Sequence, residues 1–310
     1  MDIRPAERCV RVRRRRRGTA AALVLAALLP LVGGCGAAGA VERSPVRAQH
    51  KDPALHALLP EKIRKAGSLK VAEGDDYPPL VQLGLDNKTL VGMEPELMKA
   101  IGQVLGVDVE FSKSSFDSII GGVRSHRYDL AIQAMLDKPE RQEHVTFVDY
   151  FRTSSSILVG QDDRKSISSL ADLCGRASAV EQGTSQVDDV VEQSKKCTRA
   201  GKPAVEVLVF PDSVGCFQAL STGRTDAFVG GSPTVTYQAE QSGGRLFEVG
   251  EPYRFLPYGI LVNKDDKALA EAVQKALQKL IDNGAYRQIL KYWKVESGAL
   301  RRATVNGGTA

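Results

Sequence analysis

The sequence has few of the residues that build metal and redox centres. Its four histidines, His50, His56, His126 and His144, stand in polar surroundings and never at the HxxxH or HExxH spacing of a zinc site. The chain also lacks the GxxxxGK(S/T) loop that cradles phosphates and the GxSxG turn of serine hydrolases. We therefore expect no metal, no cofactor and no catalytic residue, although an enzyme that needs only a general acid stays open.

Long hydrophobic runs are also absent. The apolar stretch from Ala20 to Val32 has about 13 residues, and crossing a bilayer takes roughly 20. It follows the basic run Arg13 to Arg17 and leads into small residues before Cys35, which is the layout of an export signal. We therefore predict that residues 1–34 are a signal peptide.

Leu31-Val32-Gly33-Gly34-Cys35 resembles the lipobox of bacterial lipoproteins. The resemblance implies cleavage before Cys35 and a lipid on that cysteine, so that the mature protein is extracytoplasmic and anchored to the cell membrane. Residues 35–54, rich in small residues, proline and charges, are expected to form a flexible tether. An ordinary secretory signal with an incidental cysteine is the alternative, and both the Sec and the twin-arginine export routes stay open.

The chain has no excess of positive charge outside this leader. The formal net charge of the chain is +5, but residues 1–34 hold eight arginines against Asp2 and Glu7. The remainder therefore carries a net charge of about −1. Such a balance gives no support to nucleic acid as a partner.

Cysteine is sparse, and its placement fits an oxidising compartment. Cys9 leaves with the signal peptide and Cys35 takes the lipid, which leaves Cys174, Cys197 and Cys216. Cys174 and Cys197 stand at either end of a strand-and-helix pattern, and closing that loop would contribute roughly 3 kcal/mol of stability. We favour a disulfide between these two, with Cys216 as a buried free thiol in an apolar helical run.

Strand-like and helical segments alternate along the chain, which predicts an α/β fold. The first set includes the buried strand Leu69–Ala72 and ends near residue 143, and the second starts at the helix Ile167–Leu173, continues with the strand Arg176–Val180 and ends at residue 241. Strand-like runs at Ser155–Gly160 and Tyr258–Val262 bracket the second set. We therefore expect the chain to leave one lobe and later to return to it.

Two C-terminal helices, Asp266–Asn283 and Ala285–Trp293, would complete the first lobe. The predicted boundaries are 55–160 and 257–294 for lobe 1, 161–256 for lobe 2 and 295–310 for a tail.

Short motifs follow one another in a fixed order between residues 58 and 294. They are Tyr77-Pro78-Pro79-Leu80, Leu90-Val91-Gly92-Met93-Glu94, Phe116-Asp117-Ser118-Ile119-Ile120, Tyr128-Asp129-Leu130-Ala131, Pro139-Glu140-Arg141, Phe147-Val148-Asp149-Tyr150, Gln182-Gly183-Thr184-Ser185, Gly223-Arg224-Thr225-Asp226-Ala227, Ser232-Pro233, and Asn283-Gly284-Ala285-Tyr286 leading to Trp293. In order and spacing they resemble the polar-amino-acid receptors of bacterial ABC importers, which are extracellular solute-binding proteins of family 3 with the type II periplasmic fold.

The resemblance implies two lobes, each a mixed sheet flanked by helices, joined by two crossover strands that form a hinge near Leu158 and Ile260. The lobes would close on a small carboxylate-bearing ligand, a polar amino acid or a derivative of one. The resemblance further implies a monomeric receptor that delivers this ligand to an ABC permease and ATPase complex and does no chemistry of its own.

The same resemblance assigns ligand-binding roles in both lobes. Arg141 matches the arginine that grips the ligand's carboxylate, to which a guanidinium can donate two parallel hydrogen bonds. Thr184 and Ser185 open a helix of the second lobe, where free N–H groups and the helix dipole favour an anion. Tyr77 and Phe116 match aromatic residues that sandwich the ligand. The plainer alternatives are a surface ion pair for Arg141, N-capping for Thr184 and Ser185, and core packing for the two aromatic residues.

Two positions depart from the family's pattern. Gly231 stands where an aspartate usually holds the ligand's α-ammonium, and Leu136 replaces a common hydroxyl residue, with Gln133 and Ala134 shortly before it. All four are counted among the expected ligand-binding residues. The resemblance therefore supports recognition of a carboxylate better than recognition of an amine.

The missing negative charge has four candidate sources, namely Asp75, Asp76, Asp137 and Glu181. Otherwise, the ligand carries a less basic nitrogen. Glu181 also supports a rival function, because the same fold serves secreted dehydratases that resemble cyclohexadienyl dehydratase and need only a carboxylate clamp and a general acid. A lipoprotein that senses solutes instead of feeding a permease is a third hypothesis.

Overall fold

The computed structural model describes residues 47–74 and 76–309. The predicted signal peptide, the predicted lipidation site Cys35, most of the predicted tether and Asp75 lie outside the described residues. Within the part that is described, no helix combines the length and the apolar character needed to cross a membrane.

The described residues form eleven strands and ten α-helices. The strands are β1 (Ser68–Glu73), β2 (Asp76–Tyr77), β3 (Val81–Leu83), β4 (Leu90–Val91), β5 (Asp108–Lys113), β6 (Leu130–Ala131), β7 (Val145–Gly160), β8 (Ala177–Glu181), β9 (Glu206–Phe210), β10 (Ala227–Gly231) and β11 (Leu246–Asn263). The helices are α1 (Pro53–Leu58), α2 (Glu61–Ala66), α3 (Met93–Leu105), α4 (Ile119–Arg124), α5 (Pro139–Gln142), α6 (Ser185–Arg199), α7 (Ser213–Ser221), α8 (Ser232–Gln241), α9 (Lys267–Asp282) and α10 (Ala285–Tyr292).

Eight strands form one mixed sheet in the order β5-β1-β6-β11-β7-β10-β8-β9. The strands β5, β1 and β6 run parallel at one end, and β10, β8 and β9 run parallel at the other. Between them, β7 and β11 are antiparallel to each other and to their outer neighbours. The first lobe is built around β5, β1 and β6 and the second around β10, β8 and β9, which confirms the predicted two-lobed α/β fold.

The long strands β7 and β11 are the two crossover strands. Val145–Thr153 of β7 pairs with β11 in the first lobe, and Ser155–Val159 pairs with β10 in the second. The ladder between β7 and β11 shifts register on both sides of Tyr253, and the next residue, Arg254, has a φ of 52°. The strands therefore cross between the lobes close to these residues.

The predicted hinge positions lie on either side of this crossing. Leu158 pairs with Phe228 inside the second lobe, and Ile260 pairs with Val148 inside the first. The sequence indicated only the outer part of each strand, because the first half of β11 contains Gly250 and Pro252 and is largely solvent-accessible. Such a segment is typical of a loop, and only its pairing with β7 makes it a strand.

The core of the first lobe lies beneath α3 and α9. In α9, Leu269, Val273 and Leu280 are fully buried on one face, at the spacing of an amphipathic helix. Just before α3, Gly92 has a φ of 139° and passes so close to Leu80 that a Cβ would lie 2.2 Å from its carbonyl oxygen. Only glycine fits there, which fixes how the small β2-β3-β4 sheet meets the helix.

The helix α6 of the second lobe has little apolar surface in the core. Its buried side chains are Ser185, Gln186, Val190 and Cys197. Cys197 is joined to Cys174 by the disulfide that we favoured from the sequence, and Cys216 is buried and free. The disulfide thus ties the C-terminal end of α6 to the segment that precedes β8.

Replacing both Cys174 and Cys197 by serine is expected to lower the free energy of unfolding by about 3 kcal/mol, because the cross-link restricts the unfolded chain. Urea unfolding followed by circular dichroism measures the change. The matched control is the wild type in the presence of a reductant, which should unfold like the double variant. Equal stability of the oxidised wild type and the double variant would contradict this role.

Candidate functional site

A cavity lies between the two lobes. It is lined by Tyr77, Phe116, Gln133, Ala134, Leu136, Arg141, Glu181, Thr184, Ser185, Gln186 and Tyr258. Eight of the nine ligand-binding residues expected from the sequence are among them, and the ninth, Gly231, lies directly behind two lining side chains. Tertiary packing thus brings the predicted residues of both lobes to one place.

Hydrogen bonds between the lobes close the rim of this cavity. Arg141 Nη2 donates to the carbonyl oxygen of Gly183 at 3.1 Å. Gln182 Nε2 donates to the Asp117 carboxylate at 2.7 Å. The lobes therefore lie against each other, in the arrangement that encloses a ligand.

Arg141 places a positive charge at the wall of the cavity. Its Nη1 donates to the carbonyl oxygen of Leu136 at 3.0 Å, and its guanidinium carbon lies 5.8 Å from the centre of the Phe116 ring. No carboxylate within residues 47–74 and 76–309 forms an ion pair with it, because the neighbouring Glu140 pairs with Lys138 instead. Burial lowers the pKa of the Arg141 guanidinium, which nevertheless stays charged. The charges of Glu140 and Asp188 favour the cation from a distance, but neither carboxylate is in direct contact with it.

The N-terminus of α6 meets Arg141 at the same wall of the cavity. Gly183, which accepts from Arg141, directly precedes Thr184, the N-cap residue. The Thr184 hydroxyl donates to the carbonyl oxygen of Glu181 at 2.7 Å and caps no N–H group of the helix. The Ser185 hydroxyl is buried without a hydrogen-bond partner. Free first-turn N–H groups, a spare hydroxyl and the helix dipole therefore favour an anion beside Arg141.

Glu181 places a carboxyl group in the same cavity. It is the last residue of β8, and only 6% of it is exposed. Burial raises the pKa of Glu181 well above its usual range, and the charges of Asp76, Asp212 and Asp117 raise it further. No lysine or arginine in the described part of the chain is within ion-pair distance of this carboxyl. The cavity therefore has an acidic side as well as a cationic one.

Two tyrosine hydroxyls occupy the space in front of Gly231. The Gly231 N–H donates to the Tyr77 hydroxyl at 2.9 Å. A Cβ on Gly231 would lie 2.2 Å from the Tyr258 hydroxyl and 2.7 Å from that of Tyr77. Burial is the main reason that the pKa of Tyr258 rises to about 12. No side chain fits at position 231 while both phenols stand there, so this side of the cavity presents neutral hydroxyls.

A buried carboxyl pair supports the wall of the cavity at Ala134. Ala134 has a φ of 45°, and its N–H donates to Glu94 Oε1 at 2.8 Å. The same oxygen accepts from the Tyr150 hydroxyl. Burial, and then the charge of Glu94, raise the pKa of Glu73 well above its usual range. The sequence singled out Glu94 only as part of a motif, and its partners became visible only in the tertiary structure.

Of the four candidates for the missing negative charge, only Glu181 is found among the lining residues. Asp137 is turned away, because its carboxylate accepts from the Gln142 amide and the Gly308 N–H at 2.8 and 2.7 Å. Asp76 accepts from the Ser213 N–H at 3.1 Å, and Asp75 lies outside the described residues. Among those described, no group of three or more His, Cys, Asp or Glu side chains is placed to hold a metal ion.

Gln186 and Tyr258 line the cavity without having been expected there. Tyr258 lies in an apolar part of β11, where sequence alone indicates a core residue. Gln186 donates to the Ser155 hydroxyl at 2.8 Å and follows the two predicted residues at the start of α6. Its position directly after Ser185 was the sign in the sequence that it could line the cavity.

Comparisons with known proteins lead to one family. Residues 69–296 match the family model of the bacterial extracellular solute-binding proteins, family 3. The arginine-binding protein ArgT of Corynebacterium glutamicum is 29% identical over 255 residues, which cover 82% of this chain and 83% of that protein.

Solved structures give the same picture. An ancestral arginine-binding protein bound to arginine superposes with a TM-score of 0.67 and 33% identity, covering 73% of this chain and 98% of its own. An ancestral amino acid-binding protein described as a precursor of cyclohexadienyl dehydratase has a TM-score of 0.66 and 28% identity, covering 76% and 99%. This neighbour, whose description mentions the dehydratase, is thus itself described as an amino acid-binding protein.

Replacing Glu181 by glutamine is expected to stabilise the ligand-free protein near pH 8 and to change its stability little near pH 4. The unfolded chain ionises this carboxyl above about pH 4.3, whereas the folded protein resists ionisation until higher pH, so the wild type loses stability as the pH rises. Melting temperatures across this range measure the difference. Glu206→Gln, an exposed change in the same lobe, is the control. A difference in melting temperature between Glu181→Gln and the wild type that is the same at every pH would contradict the raised pKa of Glu181.

Proposed function

Because the chain belongs to the bacterial extracellular solute-binding proteins, family 3, we propose that its cavity captures an amino acid with a positively charged side chain for an ABC importer. The placement of Glu181 carries this proposal: a buried carboxyl without a counter-ion lies in the cavity that also holds Arg141. A ligand with a carboxylate at one end and a cation at the other supplies both missing partners.

The ligand's carboxylate binds between Arg141 and the start of α6. A guanidinium donates two parallel hydrogen bonds to a carboxylate, and these bonds are strong because both partners are charged. The unpartnered Ser185 hydroxyl and the first-turn N–H groups of α6 complete the set of donors. Carboxylate binding therefore draws on both lobes.

The ligand's cationic side chain lies toward Glu181. Asp76, Asp117 and Asp212 add negative potential around this carboxyl, so that a cation is favoured there over a neutral group. The aromatic faces of Tyr77 and Phe116 border the cavity and suit both the aliphatic part and the charge of such a side chain. The arginine-binding relative and the arginine-bound structural neighbour support arginine as the first ligand to test.

The ligand's α-ammonium is held by neutral acceptors. Gln133 Oε1 is buried without a partner and belongs to a residue that lines the cavity. The hydroxyls of Tyr77 and Tyr258 stand where Gly231 leaves room. Acceptors of this kind satisfy an ammonium group with less electrostatic attraction than an aspartate would provide.

Ligand binding stabilises the closed arrangement, because the ligand contacts residues of both lobes. The two strands that cross at residues 153–155 and 253–256 act as the hinge. An importer can distinguish the loaded receptor from the empty one because the ligand shifts the open–closed equilibrium by its difference in affinity for the two states.

The receptor is exported as a monomer and anchored outside the cytoplasm by a lipid on Cys35, after removal of residues 1–34. Residues 55–160 and 257–294 form one moving body, and residues 161–256 form the other. Delivery of the ligand to a permease is favoured over sensing because relatives are named as binding proteins of ABC transporters.

Binding without catalysis is favoured because the relatives are named as amino acid-binding proteins.

Arg141→Ala is expected to raise the Kd for L-arginine at least about 30-fold, because about 2 kcal/mol of charge-assisted hydrogen bonding is lost. Isothermal titration calorimetry on ligand-free protein measures this change. Arg124→Ala, which removes an exposed arginine of α4, is the matched control and should bind like the wild type. An unchanged Kd for Arg141→Ala would remove this residue from the site.

Glu181→Gln is expected to raise the Kd for L-arginine about tenfold or more and to change the Kd for L-citrulline little, because citrulline replaces the guanidinium with a neutral group of similar shape. Competition between the two ligands, measured by calorimetry at pH 8, gives the ratio of their Kd values. Glu206→Gln is the matched control. An equal loss for both ligands would show that Glu181 does not recognise the side-chain charge.

A further inference from the structure

The last residues of the chain lie beyond the part that matches the family. The family match ends at residue 296, and residues 299–309, here called the C-terminal strap, continue along the first lobe. Near its start, the N–H of Leu300 donates to the Tyr286 hydroxyl at 3.0 Å. Further on, Val305 forms an antiparallel bridge with Val148 of β7. The strap is therefore a packed extension of this chain.

The end of the strap covers two buried carboxyl groups. The Oδ2 of Asp149 accepts from the Thr304 hydroxyl at 2.6 Å and from the Gly307 N–H at 3.0 Å. The Oδ2 of Asp137 accepts from the Gly308 N–H at 2.7 Å. Both aspartates are fully buried, and neither forms an ion pair with any residue in the described ranges. The strap thus supplies most of the hydrogen-bond donors to a carboxyl pair that has no cation.

These two carboxyl groups interact unfavourably when both are charged. Burial, and to a smaller extent the charge of Asp137, raise the pKa of Asp149 to about 7. Without the strap, the pair would keep its repulsion and exchange these fixed hydrogen bonds for bonds to water. The segment that carries Asp137 would then be held less firmly.

That segment leads directly into the helix that carries Arg141. Gln142, at the end of α5, donates from its amide both to Asp137 Oδ1 and to the carbonyl oxygen of Gly308, each at 2.8 Å. The carbonyl of Leu136, the residue before Asp137, accepts from the Arg141 guanidinium at 3.0 Å. The four-residue helix α5 buries none of its side chains. Hydrogen bonds to the strap therefore replace apolar packing as the means of holding α5.

We propose that the C-terminal strap positions Arg141 for the ligand's carboxylate, with Asp137 as the positioning residue between them. Neither the strap nor Asp137 touches the ligand. The effect on affinity rests on the proposed function, whereas the effect on the order of α5 does not.

A single methyl group can test this connection. A Cβ on Gly308 would lie 2.0 Å from the Asp137 carbonyl oxygen, so Gly308→Ala displaces the end of the strap and leaves the cavity's own residues unchanged. Gly121→Ala is the matched control, because Gly121 is exposed on α4 and a Cβ there meets nothing within 4 Å.

Titration calorimetry with L-arginine measures the coupling between the strap and Arg141. Gly308→Ala is expected to raise the Kd about fivefold or more, and the same change in an Arg141→Ala background is expected to add no further loss, because the two residues act on one contact. A merely structural role would weaken binding equally in both backgrounds. That outcome, or an unchanged Kd for Gly308→Ala, would overturn the proposal.

Hydrogen exchange of the ligand-free protein tests the strap without any ligand. Gly308→Ala and a variant that ends at Gly298 are both expected to exchange faster in peptides from residues 137–144 and at the wild-type rate in peptides from residues 206–210. Unchanged exchange over residues 137–144 in both variants would refute the strap's role. If the wild type fails to bind L-arginine while α5 loosens as expected, the proposed ligand is wrong and the strap's role stands.

Discussion

The guanidinium of Arg141 and the positive end of α6 meet at one wall of the closed cleft, and the two carboxylates whose charges act on Arg141, those of Glu140 and Asp188, form no ion pair with it among the described residues. Closing the lobes brings these like charges together in a buried place, which costs free energy until an anionic group lies between them. The carbonyl of Gly183 offsets part of this cost by accepting from Arg141. In the proposed function the ligand's carboxylate removes the remainder, so that the closed state depends on the ligand and a partner can recognise closure.

Glu181, on the acidic side of the cavity, is likewise surrounded by charges of its own sign. Its neighbours Asp76, Asp117 and Asp212 make ionisation of this buried carboxyl unfavourable, so a cation stabilises it more than a neutral ligand does. The two tyrosines in front of Gly231 leave no room for a further carboxylate. In the proposed function, selectivity therefore depends on where unpaired charges are buried.

Much of the fold and of the candidate site was predictable from local patterns. Alternating strands and helices predicted two lobes, and short motifs located Arg141 and the start of α6, because such motifs combine local backbone geometry with the side chains that use it. Long-range pairing was not predictable in the same way. The first half of β11 has the composition of a loop and becomes a strand only beside β7. The sequence around Tyr258 indicates a core residue, and only the tertiary structure shows that its hydroxyl lies beside that of Tyr77.

The sequence by itself determined which residue types stand at the site, the family to which the chain is similar, and the pair of cysteines that can cross-link. Only the tertiary structure decided which charges are left without partners. Asp137 looked like a source of negative charge for the ligand, but the C-terminal strap holds its carboxylate on another side, whereas Glu181 lines the cavity. The reason is physical: a charged group takes its role from the donors and acceptors that folding brings near it, and these come from distant parts of the chain.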